Sequence, residues 1–525
     1  MPQLLVNLDA LIPREDLQIV DGRDYRQFDS LKIADFEANS FTWSCLRKPM
    51  FQRETANWTP QKVHDLLTSF LNGDFVPNVI LWRVGETLFV IDGGHRLSAI
   101  AAWVQNDYGE GNTSRKFFRN HIPPEQDKAA KRTQLIIEKS FRTYVEHSRA
   151  RDNPSDSLPE VAQRIRLLGS LAIGIQWVPS PDAAKAEASF FKINQQGTPL
   201  DRTESRILKA KGAANGVASR AIVRNATGHE YWSFPEHKEE IEKSAKEIYA
   251  TLFNPPIPTP IRTVDLPPAG RGYGAQTLPL TFDLVNLAND VPVIDATKKK
   301  DAEMPVDTDG TKTVKFLTEV RRVSRRISGL HPSSLGLHPA IYFYSTGGRH
   351  QPTAFYAMVA LLVEWEKKKG AFESFTNVRA AFEDFLKKYK TFVNQVTGRR
   401  GSGAKGYAYV RDLFAFVLSA LHAGNSNDKI VHMLREDSQF NFLSPQEPDD
   451  EDIGVNADNS FSKSAKSAAF LQIALQNQIK CAHCNALIGP ASVSMDHIIR
   501  KQDGGSGLPK NAQPMHPFCN STLKN

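Results

Sequence analysis

Cys481-Ala-His-Cys484 and, after 31 intervening residues, His516-Pro-Phe-Cys519 form the stretch that most constrains how this 525-residue chain folds. Three cysteines and a histidine in two short pairs are the ligand set of a closed tetrahedral zinc site, and each pair fits on one tight turn. The loop between the pairs is too short to bury a core, so bound zinc is expected to supply its folding free energy. Three of the four cysteines in the chain lie here, which favours a metal site over disulfides.

The segment between the two pairs carries residues suited to hydrolysis. Val493-Ser-Met-Asp496-His497-Ile-Ile alternates well enough to predict a short strand, and Gly504-Gly505 then breaks the chain. Phosphodiester hydrolysis needs a divalent ion to neutralise phosphate charge and an imidazole to take a proton from water. The adjacent Asp496 and His497 therefore indicate a nuclease.

Residues 481–525 resemble the HNH, or ββα-metal, nuclease family, whose pattern runs C-x2-C, D-H-I, G-G, N and C-x2-C-N. His516 stands where the family usually has its third cysteine. The resemblance implies structural zinc on the two outer pairs and four catalytic residues: Asp496 and Asn520 as ligands of a catalytic Mg²⁺ or Mn²⁺, His497 as general base, and Asn511 as the residue that holds the loop. A zinc knuckle that binds without cutting is the alternative, because short motifs also occur by chance.

A second motif lies nearer the N-terminus. Thr87-Leu-Phe-Val-Ile predicts a strand and Leu97–Trp103 predicts a helix, with Asp92-Gly93-Gly94-His95-Arg96 between them. A Gly-Gly turn that opens a helix directs backbone N–H groups, at the positive end of the helix dipole, toward a phosphate or another anion. Such turns also occur in domains that bind no ligand, so this motif alone is weak.

Flanking residues extend the second motif into a family resemblance. Gln52-Arg53 stands upstream, and Phe190-Phe-Lys-Ile-Asn194 with Glu204 stands downstream. Residues 30–215 thus resemble the ParB/sulfiredoxin-like family with the D-G-Q-Q-R motif, which supplies the sensor halves of Gmr-type and phosphorothioate-sensing restriction systems. The resemblance implies a nucleotide-binding sensor pocket supported by Glu204 and lined by Gln52, Arg53, Asp92, Gly93, Gly94, His95, Arg96 and Asn194. Both motif glutamines are replaced here, so phosphate binding is expected while hydrolysis of a nucleoside triphosphate is left open.

Composition and charge favour a multidomain cytoplasmic protein without a membrane span. The chain is about three times the length of an ordinary domain. No apolar run approaches the roughly 18 residues of a membrane helix. The net charge of +7 permits DNA binding without requiring it. Arginines at 321, 322, 325 and 326 predict a basic ridge on a helix, although a single charged run is more often only a solvated face.

The predicted fold class is α+β and multidomain. The predicted parts are a ParB-like sensor domain at 1–215, a mainly helical and DNA-binding middle domain at 216–442, an acidic polar linker at 443–466 that tethers the nuclease, and an HNH domain at 467–525. Helical periodicity in the middle domain is strongest at 354–369, 371–396 and 407–422.

The expected function is an endonuclease of a restriction system for antiviral defence. It would cut double-stranded DNA under the control of a DNA modification or a nucleotide. A DNA-binding regulator with an inert zinc knuckle and a nucleotide-switched clamp are the alternatives. The trigger and the formation of a homo-oligomer are left open.

Overall fold

The computed structural model describes residues 4–16, 27–50, 58–152, 159–179, 182–196, 202–292, 304–445 and 461–524, which form an α+β protein. The strands are β1 (Arg14–Glu15), β2 (Ser30–Lys32), β3 (Leu46–Pro49), β4 (Val79–Val84), β5 (Thr87–Asp92), β6 (Ala172–Trp177), β7 (Ser494–His497) and β8 (Ala512–Met515). The helices are α1 (Phe41–Cys45), α2 (Pro60–Leu71), α3 (Gly94–Gln105), α4 (Asn112–Phe117), α5 (Pro124–Phe141), α6 (Tyr144–Asp152), α7 (Pro159–Leu168), α8 (Ala183–Gln196), α9 (Arg202–Lys209), α10 (Ala214–Val223), α11 (Lys238–Phe253), α12 (Thr277–Ala288), α13 (Thr311–Ile327), α14 (Pro339–Tyr342), α15 (Pro352–Glu366), α16 (Ala371–Lys388), α17 (Thr391–Arg400), α18 (Tyr407–His422), α19 (Asn427–Glu436) and α20 (Lys463–Gln476).

A mixed six-stranded sheet in the order β1-β3-β5-β4-β6-β2 forms the centre of the N-terminal domain. The central strand β5 pairs parallel with β3 and antiparallel with β4. Successive side chains of a strand point to opposite faces. Leu88 and Val90 accordingly pack in the core that contains α3, whereas Phe89 and Ile91 pack in a smaller core with residues of α8 and α9. Both faces of β5 are covered, which explains its continuous apolar run.

The predicted strand, glycine turn and helix are confirmed at β5 and α3. Gly93 precedes α3 with φ at 93°, in the left-handed region. A Cβ atom at this position would lie 2.5 Å from Val79 Cγ1. Only glycine therefore fits the turn, both for its backbone angle and for the approach of β4.

Helices α10 to α19 surround one large hydrophobic core. The predicted helix 407–422 coincides with α18. The predicted single helix 371–396 is instead divided into α16 and α17, because Tyr389 leaves the helical conformation at φ −117° and ψ 39°. Its buried ring stacks on Phe392, with centroids 5.2 Å apart. No helix in the described parts of the chain combines the length and the apolar character needed to cross a membrane.

The C-terminal unit is packed against the helical domain. Leu471 of α20, Leu487 and Phe518 belong to the same buried cluster as the helices of the middle domain. The unit that was predicted to be tethered by a linker is thus also held by packing. A unit of this size buries little apolar surface alone, so contact with a larger core stabilises it. Residues 446–460 of the predicted linker lie outside the described residues.

Helix α13 forms as predicted, but its arginines do not make a free basic ridge. Arg325 pairs with Glu247 of α11 at 2.5 Å, and Arg326 pairs with Glu366 of α15 at 2.7 Å. Arg322 also pairs with carboxylates, on α13 and α15. Carboxylates on α11, α13 and α15 thus neutralise much of the charge of the predicted basic ridge. The spacing of the arginines along α13 could not reveal the partners on the other helices.

A buried carboxylate connects the N-terminal segment to the helical domain. Asp9 pairs with Arg14 at 2.8 Å, with Lys48 at 3.3 Å and with Arg224 just beyond α10 at 3.2 Å, and no side chain of this cluster is more than 7% exposed. Burial alone would raise the pKa of Asp9, but the three cations hold that pKa well below its usual value. Burial also lowers the pKa of Lys48 to about 8.

We expect Asp9→Asn to lower the free energy of unfolding by about 3–5 kcal/mol, because it removes the anion from a buried cationic cluster. Chemical denaturation at pH 7 measures this change. Asp16→Asn is the matched control: Asp16 pairs with Lys211 at 3.5 Å but is 60% exposed, so its loss should cost less than about 1 kcal/mol. Equal effects of the two substitutions would contradict the role given to Asp9.

Candidate metal centre and nuclease site

Four metal-ligand side chains converge in the C-terminal unit, and all their ligand atoms lie within 4.8 Å of one another: Cys481, Cys484, His516 and Cys519. The first two stand on one tight turn, which is closed by a hydrogen bond from Asn485 N to Cys481 O at 2.9 Å. Asn485 adopts a left-handed φ of 56°. All four predicted zinc ligands are thus brought together, and the group does not include His483.

The chemistry of this group fits a zinc ion. His516 Nε2 donates a hydrogen bond to Leu487 O at 3.1 Å. That bond leaves Nδ1 as the ligand atom, 3.4 Å from Cys484 Sγ and 3.8 Å from Cys519 Sγ. Hydrogen bonds among the close thiols lower the pKa of Cys481 and raise that of Cys484 to about 11. Three sulfurs and one nitrogen are a common zinc donor set, and metal binding would release the remaining thiol protons.

The helical domain supplies the outer contacts of this group. Leu487 N donates to Glu383 Oε2 at 2.9 Å, while Leu487 O accepts the bond from His516. Glu383 Oε1 accepts from Arg379 Nε at 2.9 Å and from Tyr342 Oη at 3.0 Å. Arg379 and Glu383 are at most 2% exposed. A buried ion pair on α16 therefore orients a metal ligand through a single residue, which is how outer-shell groups act on metal sites.

The predicted nuclease residues lie on an antiparallel hairpin beside the metal group. Strand β7 pairs with β8, with Asp496 opposite Gln513 and His497 opposite Ala512. A one-turn π-helix, Cys519–Leu523, follows the hairpin. The strand predicted between the two ligand pairs is confirmed. The order of strand, strand and short helix puts two candidate catalytic residues on β7 and one, Asn520, on the helix.

Asp496 is held by two donors. Its Oδ2 accepts from Gln513 Nε2 at 2.9 Å and from Lys524 Nζ. The Lys524 ammonium also donates to His497 O at 2.6 Å. Burial alone would raise the pKa of Asp496, but the bonds from Lys524 and Gln513 outweigh burial and lower that pKa. Asp496 is therefore an anion at neutral pH, with a cation already beside it.

The two predicted asparagines bond the backbone and side chains around this hairpin. Asn511 Oδ1 accepts from Ile499 N at 2.8 Å, and Asn511 Nδ2 donates to Ile499 O at 3.0 Å. The chain just after β7 is thereby fixed. Asn520 Nδ2 donates to Ser494 Oγ at 2.9 Å. Ser494 is two residues before Asp496 and thus on the same face of β7, so Asn520 lies along the face that carries Asp496.

The predicted sensor turn is formed, with its charged residues in a local ion pair. Arg96 Nη2 donates to Asp92 Oδ2 at 2.6 Å and to Asn78 O at 3.1 Å. The His95 ring stacks on Trp58, with centroids 5.4 Å apart. Both members of the ion pair remain partly exposed. An anion at this turn would therefore compete with Asp92 for Arg96.

Part of the predicted sensor pocket cannot be placed at this turn. Gln52 and Arg53 lie outside the described residues, and so does the side chain of Asn194. Glu204 lines a cavity of about 140 Å³ at the junction with the helical domain, together with Arg220 and Arg224. Among the described residues that line this cavity, none belongs to the turn 92–96. This cavity could not be predicted from sequence patterns, because its lining comes from distant segments.

Fold and site together define a protein class: a sheet domain with a glycine turn, a helical domain, and a metal-ligand group next to an Asp-His hairpin. Residues 33–212 match the family model described as GmrSD restriction endonuclease, N-terminal domain. The match covers 180 of the 525 residues. This part of the chain is therefore similar to the N-terminal domain of that restriction endonuclease family. No curated protein and no solved structure matches the chain.

We expect Cys484→Ser to weaken zinc binding by more than about 100-fold and to lower the melting temperature, because a soft ligand is lost and metal binding contributes folding free energy. Plasma emission spectroscopy measures the zinc content per chain, and thermal unfolding measures the melting temperature. Cys45→Ser is the control, since Cys45 lies in α1 outside the metal group. A Cys484→Ser protein that keeps about one zinc per chain would rule out the metal site.

We expect Glu383→Gln to weaken zinc binding by about 10–100-fold, since outer-shell partners typically contribute this much to metal affinity. Competition with a chromophoric chelator measures the affinity of folded protein. Asp384→Asn, one residue along α16 and 65% exposed, should leave the affinity unchanged. A Glu383→Gln protein that melts earlier but binds zinc as tightly as before would show that the residue only stabilises the fold.

Proposed function

We propose that the protein is an HNH-type DNA endonuclease of a restriction system, regulated by its N-terminal domain. The observation that carries the proposal is the ionised Asp496 beside His497 on β7, with Asn520 on the adjoining helix and a zinc-type group at the ends of the hairpin. A binding knuckle does not need this acidic residue and imidazole together. The match of residues 33–212 supports the restriction context.

Asp496 and Asn520 are the residues that would hold a catalytic Mg²⁺ or Mn²⁺. Both offer oxygen ligands, which these hard cations prefer. The Lys524 ammonium, bonded to Asp496 Oδ2 and His497 O, already marks a position that stabilises positive charge. When bound, such an ion would neutralise phosphate charge and activate water.

The remaining site residues act as base and as supports. His497 takes the proton of the attacking water, because a neutral imidazole accepts protons near neutral pH. Gln513 orients the Asp496 carboxylate through its 2.9 Å hydrogen bond. Asn511 fixes the backbone just after β7, so the imidazole keeps its direction. Lys524, when displaced from Asp496, is placed to offset the negative charge of the reacting phosphate.

The N-terminal domain would act as the sensor. Helix α3 begins at the glycine turn, where its first N–H groups can donate hydrogen bonds to an anion such as a nucleotide phosphate. Arg96 would add a charge-assisted hydrogen bond once it leaves Asp92. Gln52, Arg53 and Asn194 are the further pocket residues that the family resemblance implies. Binding of a nucleotide or of modified DNA at this pocket would then permit cutting.

We expect His497→Ala to slow DNA cutting by about 10²–10⁴-fold, because general-base catalysis contributes this much. Its zinc content and melting temperature should be unchanged. His483→Ala is the matched control, since His483 is an exposed histidine outside the metal group. The substrates are matched plasmids, unmodified, phosphorothioated or glucosyl-hydroxymethylated, with Mg²⁺ or Mn²⁺, with and without a nucleoside triphosphate.

Cutting of one modified plasmid that depends on His497 would support a sensing nuclease and identify its trigger. Cutting of every plasmid would support the nuclease and contradict modification sensing. Binding without cutting under all conditions would favour a DNA-binding regulator with an inert knuckle. Nucleotide turnover that depends on Asp92 or Arg96, without cutting, would favour a nucleotide-switched clamp.

A further inference from the structure

An open groove of about 670 Å³ lies beside the terminal π-helix, between that helix and the loop joining α15 to α16. We infer that this groove binds the DNA backbone that flanks the scissile bond, an inference that rests on the proposed nuclease function. The residues that carry the inference are Lys367, Lys368, Lys369, His331, Ser521 and Thr522.

Three consecutive lysines give the groove its charge. Lys367, Lys368 and Lys369 are all exposed. Lys367 pairs with Asp290 at 2.8 Å. Within the described part of the chain, no ion pair engages Lys368 or Lys369. Exposed lysines that converge on one groove can each neutralise a DNA phosphate and release its counterions.

The carboxylates near the lysines reduce this charge only in part. Glu366 lies in the groove but is paired with Arg326 at 2.7 Å. Glu373 is the other carboxylate of the groove lining. Burial, and after it the charges of Arg325 and Arg326, lower the pKa of His331, which also lines the groove. The groove therefore keeps an excess of positive charge.

The groove and the candidate catalytic face lie on two sides of the same helical turn. Asn520 Nδ2 bonds Ser494 of β7 at 2.9 Å. The next residue, Ser521, donates from Oγ to Pro332 O at 2.8 Å and lines the groove with Thr522. A helix with its side chains is about 10 Å across. At about 3.4 Å of rise per phosphate along one strand, that distance corresponds to roughly three phosphates.

The shape and donors of the groove suit a phosphodiester chain. The groove is open to solvent and is lined by Arg326 and Phe372. The guanidinium carbon of Arg326 lies 4.1 Å from the centroid of the Phe372 ring. Lysine ammonium groups and threonine hydroxyls are common donors to DNA phosphates, whereas the Ser521 hydroxyl is engaged with Pro332 O. Three arginines of α13, Arg322, Arg325 and Arg326, are engaged by carboxylates, so the lysine loop is the better place for the substrate to continue beyond the cutting site.

The test is the salt dependence of DNA binding by the full-length protein carrying His497→Ala, measured by fluorescence anisotropy with a 30-base-pair duplex. Adding Lys368→Gln and Lys369→Gln should reduce the slope of log affinity against log salt by about 1.8, at about 0.9 per lost phosphate contact. The matched control adds Lys312→Gln and Lys315→Gln, two exposed lysines at the start of α13, and should leave the slope unchanged.

An unchanged slope in the groove variant, or an equal loss in the control, would overturn the inference. A parallel DNA-cutting assay distinguishes failure of this inference from failure of the proposed function. In that assay each lysine pair is replaced in protein that keeps His497. If that protein cuts DNA but the salt slope is unchanged, the proposed nuclease function holds and the inference about the groove fails. If the salt slope is reduced but no variant cuts DNA, the groove remains a DNA-binding site and the proposed nuclease function fails.

Discussion

A buried ion pair within one helix, Arg379 with Glu383, determines where the C-terminal unit lies. Glu383 accepts the Leu487 N–H group, and Arg379 donates to Leu335 O and Gly336 O. Two such charges lose hydration on burial, and their attraction offsets that loss only when the remaining donors and acceptors are also bonded. The pair therefore favours one arrangement of the metal group on the helical domain. The backbone of Gly336 also approaches the ring of His516 closely at this junction, since a Cβ atom on Gly336 would lie 3.1 Å from His516 Cδ2.

This junction limits how cutting could be regulated. Release of the C-terminal unit as a tethered module would expose Leu487 and Phe518 and would leave Glu383 without its amide donor. The second junction, at Asp9, ties the helical domain to the N-terminal segment by equally buried charges. Small changes at the two junctions, or in access of DNA to the hairpin, are physically easier than release. Regulation of the proposed nuclease by the proposed sensor domain is thus better sought in domain orientation than in release of the C-terminal unit.

The features that could be predicted from the sequence are those determined by residues close together in the chain. The grouping of three cysteines with His516, the glycine turn before α3, the strand that carries Asp496 and several helices of the middle domain all follow from spacing and periodicity. The ionic junctions did not follow, because the partners across each junction, Leu487 for Glu383 and Arg224 for Asp9, are about 100 and 215 residues away in the chain. The same limit explains the error over α13, whose arginines meet carboxylates from α11 and α15. In the sequence, the sign of a buried ion pair was the occurrence of Arg379 and Glu383 four residues apart on a helix that is otherwise rich in phenylalanine.

The contact between Lys524 and Asp496 bears on how the proposed nuclease would take up its metal. The ammonium occupies the position that favours a cation, so a divalent ion must displace it. The pair is only partly hydrated, with side chains 23% and 15% exposed, so it is stronger than an exposed surface pair. A divalent ion carries twice the charge of the ammonium, and its attraction for the carboxylate would favour displacement. Lys524 would keep Asp496 ionised and ordered before the metal arrives, and would leave it readily when the metal binds.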